Sequence, residues 1–131
     1  MLSASKKIDY GILLMASLPE FNSGEFRSLK DLAVSKKLSA KFLEQVVIPL
    51  KKSGLVISRG GSRGGYQLAK KNGQISLLGV YESIEGPLRL MSCLGPHRCM
   101  REEKCPTKSV WFELQTMMRK YLKSKKISDY K

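Results

Sequence analysis

The sequence contains few of the residue types on which most enzyme sites depend. Among its 131 residues there are one histidine, one tryptophan, three cysteines and only 11 acidic residues. Most hydrolytic and group-transfer chemistry needs an acid, a base and a nucleophile that converge on one site. Because the sequence shows no such set, it gives an enzyme little support.

Long apolar runs are also missing. No stretch approaches the roughly 20 apolar residues that a membrane-spanning helix requires, and the first residues lack the apolar region and cleavage site of a signal peptide. We therefore expect a cytoplasmic protein, in a reducing compartment where unpaired cysteines persist. A hydrophobic content of 42% is sufficient for one small core.

Positive charge is abundant and unevenly distributed. Lysine and arginine number 24, and the formal net charge is +13. Between Lys36 and Lys71, nine basic residues accompany a single acid, Glu44. A patch of one sign attracts phosphate backbones or anionic lipids. Because these charges lie among turn and strand signals and not along one amphipathic helix, they favour nucleic acid over a membrane surface.

Apolar periodicity and capping residues predict three helices in the first half of the chain. The first runs from about Ser5 to Ser17 and ends before Pro19. Ser28 and Ser39 are typical N-caps for two short helices that follow. The second of these carries apolar residues at helical spacing, namely Leu43, Val46, Val47 and Leu50. Two short helices joined by a tight turn form a candidate helix-turn-helix unit.

Two apolar segments around a glycine-rich tip predict a β-hairpin. The strands cover residues 55–59 and 66–69. A hairpin directly after a helix-turn-helix unit is the wing of a winged helix-turn-helix, and wing arginines commonly enter a minor groove. The helix capped by Ser39 would then be the recognition helix, and its polar face would enter the major groove. The DNA-contact candidates are Ser39, Lys41, Glu44 and Gln45 of the helix and Arg59 and Arg63 of the wing.

The end of the chain predicts another helix, which begins near Pro106. Its apolar stripe has a spacing of four, three and four residues and consists of Val110, Leu114, Met117 and Tyr121. A small domain rarely buries so long a stripe, so it indicates either a dimer seam or packing within the chain. The basic tail from 123 to 131 is expected to fray.

All three cysteines and the only histidine lie in one segment. Cys93, Cys99 and Cys105 recur at intervals of six residues, with His97 between the first two. Glycine and proline break regular structure there, and charged neighbours argue against thiols that merely fill a core. An odd number of thiols does not suit a disulfide framework. Soft metal or cluster ligation is favoured. Zinc and bare redox thiols stay open, although the wide spacing suits an iron–sulfur cluster better than zinc.

With these elements in order, the chain resembles the bacterial winged-helix iron–sulfur transcriptional regulators of the IscR and NsrR type. The shared phrases are Phe-Leu-Glu-Gln at 42–45, Ser-Gly-Leu-Val at 53–56, Gly-Gly-Tyr-Gln-Leu-Ala at 64–69, Ile-Glu-Gly at 84–86 and the triple-cysteine interval. The resemblance covers nearly the full length. It implies a mainly α fold with a small β-hairpin, that is, a winged helix-turn-helix plus a long C-terminal dimerisation helix. It also implies a homodimer that binds double-stranded DNA and is not an enzyme.

The resemblance further implies that the three cysteines ligate an iron–sulfur cluster. In IscR-like members a histidine three residues after the last cysteine completes a 2Fe–2S site, but this sequence has Lys108 there, a poor ligand. In NsrR-like members an N-terminal aspartate of the partner subunit completes a 4Fe–4S site, and Asp9 matches that position. We therefore expect 4Fe–4S with Asp9 as the fourth ligand, with 2Fe–2S as the alternative cluster and His97 as the alternative ligand.

The predicted organisation has three parts. Residues 1–86 form the winged helix-turn-helix domain, 87–108 the cysteine-rich cluster-binding loop, and 109–131 the dimerisation helix and basic tail. The leading function is a DNA-binding regulator whose affinity is controlled by a cluster that senses redox state, nitric oxide or cluster status. The alternatives are a winged-helix regulator that uses zinc or bare thiols and, less favoured, an electron-transfer protein, against which the basic helix-turn-helix argues.

Overall fold

The computed structural model describes residues 4–95 and 105–131. In this part of the chain, five α-helices accompany one antiparallel hairpin. The helices are α1 Lys6–Ser17, α2 Leu29–Lys36, α3 Ala40–Lys52, α4 Leu77–Glu85 and α5 Lys108–Ser124, and the strands are β1 Val56–Arg59 and β2 Gly65–Leu68. The mainly α fold with a small β-hairpin is the predicted fold class.

Serine caps set where four of the helices begin. Each serine side chain accepts a hydrogen bond from a backbone N–H of the first turn, which has no partner inside the helix. These caps are Ser5, Ser28, Ser39 and Ser76. At the other end of α3, Gly54 has a φ of +78°, and Leu55 N–H donates to Leu50 O. Because glycine adopts this φ without strain, α3 stops there and the chain turns into β1.

One core holds the helix-turn-helix unit and the hairpin together. Helix α1 packs against α3 and α4, and α2 packs against α3. The predicted apolar stripe of α3 is buried, and so are Leu29, Leu32 and Ala33 of α2, Val56 of β1 and Leu68 of β2. Because these residues are buried, the outer side of α3 and the hairpin tip remain on the protein surface, and the common core fixes their positions.

The C-terminal tail is docked on this core, so the prediction that it frays is wrong. After α5 the chain forms a short 3-10 turn at Ile127–Tyr130, and Ile127 is fully buried. The Ile127 N–H donates to Ile75 O, and the Leu77 N–H donates to Lys125 O, each at 2.9 Å. The many lysines of the tail suggested fraying, but burial of one isoleucine and pairing of its backbone hold the segment in place.

Glu20 joins the tail to two other segments. Its carboxylate accepts hydrogen bonds from the backbone N–H (2.8 Å) and the side-chain amide (2.6 Å) of Asn72. The Lys131 ammonium lies 3.4 Å from the same carboxylate and donates to Leu18 O at 2.9 Å. Burial alone would raise the pKa of Glu20, but the Asn72 N–H and the Lys131 charge outweigh it and lower that pKa below its ordinary value of 4.5.

Helix α5 packs on α4 through one face. Arg119 forms a 3.0 Å ion pair with Glu82 of α4, and Leu122 packs against the core. No residue of α5 is fully buried. Neither α5 nor any other helix within 4–95 and 105–131 combines the length and apolarity needed to cross a membrane.

Candidate DNA-binding surface, cysteine segment and dimer face

The outer face of α3 carries the predicted base-reading residues. Lys41, Glu44 and Gln45 are all exposed, on the side of the helix opposite its buried apolar stripe. Ser39 is also exposed, and its hydroxyl accepts the Phe42 N–H at 3.2 Å. The four candidates therefore lie together at the N-terminal half of α3, where a recognition helix contacts base edges.

An aromatic pair fixes this end of α3 against α1. The rings of Tyr10 and Phe42 meet edge to face, with centroids 4.7 Å apart. The Lys6 ammonium lies 5.6 Å and 5.5 Å from the centroids of these two rings. Edge-to-face pairs and cation–π contacts each add stabilisation beyond simple burial. The contacts set the position of the α3 N-terminus relative to the core.

The wing brings its two predicted arginines together. Arg59 ends β1 opposite Gly65 in the hairpin register, and Arg63 follows in the tip. The Arg59 Nη2 donates to the Arg63 carbonyl oxygen at 2.9 Å, and both residues are exposed. The guanidinium carbon of Arg59 also lies 4.2 Å from the centroid of the Phe26 ring.

Sequence reasoning missed Phe26 altogether. This half-buried residue lies in the connection between α1 and α2, and it has no part in any periodic apolar stripe. Phe26 and Arg59 are far apart in the sequence and come into contact in the folded chain. With the wing, this connection borders a groove of about 610 Å³ whose lining includes Phe26, Arg27, Arg59 and Arg63.

The predicted dimer stripe lies on the open side of α5. Val110, Met117 and Tyr121 are 55%, 68% and 58% exposed, whereas Leu114 is half-buried. Three of the four stripe residues are thus largely uncovered in the part of the chain that the structure describes. Phe112, which was not part of the predicted stripe, is 57% exposed as well.

The cysteine segment is the cysteine-rich loop of residues 87–108. The structure describes its beginning and its end, and both lie next to α5. Cys93 lies in the short 3-10 turn Ser92–Leu94, which contacts α5, and the Leu90 N–H donates to Gln115 Oε1 of that helix at 2.9 Å. Cys105 comes shortly before α5 and has its Sγ 3.2 Å from Thr107 Oγ1. Both cysteines are half-buried.

The structure describes one of the remaining three ligand candidates, Asp9. Cys99 and His97 lie outside the described residues. Asp9 is exposed in the first turn of α1. Within 4–95 and 105–131, no three His, Cys, Asp or Glu side chains come together as a metal site, so one described chain does not gather Asp9 with Cys93 and Cys105. The ligand set, the DNA contacts and the dimer contacts stay predictions.

Comparison with known proteins gives matches along nearly the whole chain. The Rrf2 family, described as "Iron-dependent Transcriptional regulator", matches residues 4–130. The HTH-type transcriptional regulator CymR of Bacillus subtilis is 29% identical over 128 residues, which cover 98% of this chain and 88% of CymR. The HTH-type transcriptional regulator IscR of Cronobacter sakazakii is 33% identical over 94 residues, 72% of this chain and 58% of IscR. The chain thus spans less than two thirds of that relative.

Solved structures agree with these matches. The structure of CymR, the global cysteine regulator of B. subtilis, has a TM-score of 0.82 at 30% identity and covers 99% of this chain and 96% of CymR. The structure of T. potens IscR has a TM-score of 0.72 at 31% identity, and the match covers 98% of this chain and 85% of that IscR chain. The predicted fold class and the predicted absence of an enzymatic role are confirmed. The chain belongs to the Rrf2 family and is a winged-helix, DNA-binding transcriptional regulator.

Proposed function

We propose that this chain is a homodimeric regulator that binds a pseudo-palindromic DNA operator with an affinity that depends on an iron–sulfur cluster in the cysteine segment. The observation that carries the proposal is the attachment of the Cys93 turn and of Cys105 to α5, the helix with the open apolar face. The two DNA-binding domains of a dimer must match half-sites that lie about 34–36 Å apart on the duplex. A change at the cysteines that moves α5 would alter the spacing of the two DNA-binding domains and so their fit to the half-sites.

Base recognition is assigned to the outer face of α3. Glu44 can accept from a cytosine amine, and Gln45 can pair with adenine in the major groove. Lys41 supplies a cation beside them, and Ser39 keeps the helix N-terminus, with its outward N–H groups, at the DNA surface. Arg59 and Arg63 are assigned to the minor groove, where negative potential is strong.

The open face of α5 is assigned to a second copy of the chain. Exposed apolar side chains that are continuous along a helix are unfavourable in water and usually mark an interface. A second copy suits this face because a two-fold dimer makes the same residues meet from both sides. The same symmetry gives the paired DNA-reading heads that a pseudo-palindrome requires.

Cys93, Cys99 and Cys105 are assigned as cluster ligands, with Asp9 of the partner subunit as the fourth ligand, ahead of His97. Half-burial of Cys93 and Cys105 fits this assignment, because the two thiols are shielded from bulk water and yet face a surface that incoming small molecules reach. A carboxylate is a hard, weakly held ligand on iron, so Asp9 would make the site labile. A 4Fe–4S cluster is favoured over 2Fe–2S, and when bound it supplies redox and nitric-oxide reactivity.

A regulator that uses thiols without a cluster is the second candidate. The observation that favours it is the similarity to the global cysteine regulator CymR, which extends over 99% of this chain at a TM-score of 0.82. In this case the three cysteines would respond to oxidation or to small thiols directly, or would hold zinc. DNA binding through α3 and the wing is common to both candidates.

Anaerobic purification followed by DNA titration separates the candidates. We expect iron and acid-labile sulfide in the protein, a visible absorption band, and tighter operator binding by the intact form than by nitric-oxide-treated protein. A variant with Cys93→Ala, Cys99→Ala and Cys105→Ala together should match the treated protein. Protein that is folded but contains no iron or sulfide would favour the second candidate. Equal affinities of all three samples, each folded and dimeric, would exclude cluster control.

Site selection from randomised duplexes tests the DNA contacts. Wild-type protein should select a two-fold consensus, and Glu44→Ala should relax base preference at one position in each half-site. Lys51→Ala, at the exposed end of α3, is the matched control for charge. If Lys51 contacts a phosphate, its loss should weaken binding to all sequences alike and reduce the salt slope by about one. Selected sequences without any consensus would contradict operator recognition.

A further inference from the structure

The connection between α1 and α2 lies directly against the wing. Arg27 and Tyr66 exchange two backbone hydrogen bonds, from Arg27 N–H to Tyr66 O at 3.0 Å and from Tyr66 N–H to Arg27 O at 2.8 Å. Gly65 has a φ of +142°, and a side chain there would collide with the Arg27 backbone. The connection therefore runs beside β2 like a short third strand, and its position relative to the wing is fixed.

Phe26 precedes this bridge and supports the side chain of Arg59. The 4.2 Å distance between the guanidinium carbon and the ring centroid is well inside the ~6 Å range of cation–π contacts. One guanidinium N–H is taken by the Arg63 carbonyl. The guanidinium of Arg59 is therefore held by the ring and by the wing tip. Among residues 4–95 and 105–131 no acceptor takes its other N–H donors, and the side chain is exposed.

We propose that Phe26 is a positioning residue for DNA binding, because its ring holds Arg59 of the wing in place before DNA arrives. An arginine already held in one conformation loses less side-chain entropy when it binds a phosphate or enters a groove. Phe26 itself need not touch DNA. This inference rests on the proposed function, in which the wing arginines contact DNA.

The position of Phe26 separates this role from a role in folding. Phe26 is half-buried and is not one of the fully buried core residues. The bridge between Arg27 and Tyr66 is made by backbone atoms, so it does not depend on the ring. Loss of the ring should therefore affect DNA affinity more than the free energy of unfolding.

A double-mutant cycle tests the proposal. Phe26→Leu removes the ring, Phe26→Tyr keeps it, and Arg59→Ala removes the cation. Phe21→Leu is the matched control, since Phe21 lies in the same connection and is 41% exposed. Each protein is titrated at fixed salt with the selected operator and with a duplex of random sequence, and thermal unfolding is recorded for each.

Phe26→Leu should weaken binding to both duplexes by about three- to tenfold, the scale of the cost of ordering one flexible side chain on binding. Phe26→Tyr and Phe21→Leu should stay within about twofold of wild type. When Arg59 is already alanine, Phe26→Leu should have almost no further effect. An equal loss in both backgrounds would show a structural role and overturn the proposal, as would an unchanged affinity of Phe26→Leu. Wild-type protein that binds neither duplex would overturn the proposed function as well.

Discussion

Replacement of Ile127 by alanine tests whether the C-terminal turn is part of the core. Ile127 is fully buried, and its N–H pairs with Ile75 O at 2.9 Å. Truncation of a buried isoleucine to alanine destabilises a protein by about 2–5 kcal/mol, depending on how far the surroundings collapse. Because the turn lies close to the end of the chain, it can relax more easily than a helix, and we expect about 2–3 kcal/mol.

This loss should be large enough to measure by thermal unfolding. For a domain of 131 residues, 1 kcal/mol corresponds to a shift in Tm of about 3–5 °C, between the ranges for smaller and larger domains. The expected decrease for Ile127→Ala is therefore about 6–15 °C. All samples must be compared at one protein concentration, because unfolding of a dimer depends on concentration.

Ile48→Ala is the matched control for this measurement. It makes the same chemical change on the outer face of α3, where Ile48 is 63% exposed. Exposed substitutions of this kind usually change stability by less than about 0.5 kcal/mol. If Ile127→Ala lowered Tm no more than Ile48→Ala, the tail would not be docked in solution and the original expectation of fraying would be right.

Three further predictions concern the dimer face, the fourth ligand and pH. Met117→Lys should shift the protein from dimer to monomer in analytical ultracentrifugation, whereas Thr116→Lys, on a neighbouring exposed position of α5, should not; a dimer in both variants would exclude this face. Asp9→Ala should lower iron content and alter the anaerobic absorption spectrum more than His97→Ala, and the reverse order would make His97 the ligand. Because the pKa of Glu20 is lowered below 4.5, its carboxylate stabilises the folded state above that pH, and this stabilisation is lost as the pH falls through the folded-state pKa. The difference in urea midpoint between wild type and Glu20→Gln should therefore shrink at low pH, and a constant difference would contradict this linkage.

The candidate site was predictable from the sequence where its signals are local. The cap at Ser39, the exposed face that carries Lys41, Glu44 and Gln45, and the hairpin that carries Arg63 depend on residues only a few positions apart. Helical periodicity and turn residues specify such features without knowledge of the rest of the fold. The ligand set stays a prediction, since Cys99 and His97 lie outside the described residues.

The sequence by itself determined the starts of α1, α2 and α3, the helix-turn-helix with its wing, and the spacing of the cysteines. Only the tertiary structure decided that Ile127 docks beside Ile75 and that Phe26 lies under Arg59. The physical reason is that both contacts join residues far apart in the chain. A single isoleucine in a lysine-rich tail and a single phenylalanine in a connection form no periodic pattern. Their partners are set by how α1, the hairpin and the last turn pack around the common core.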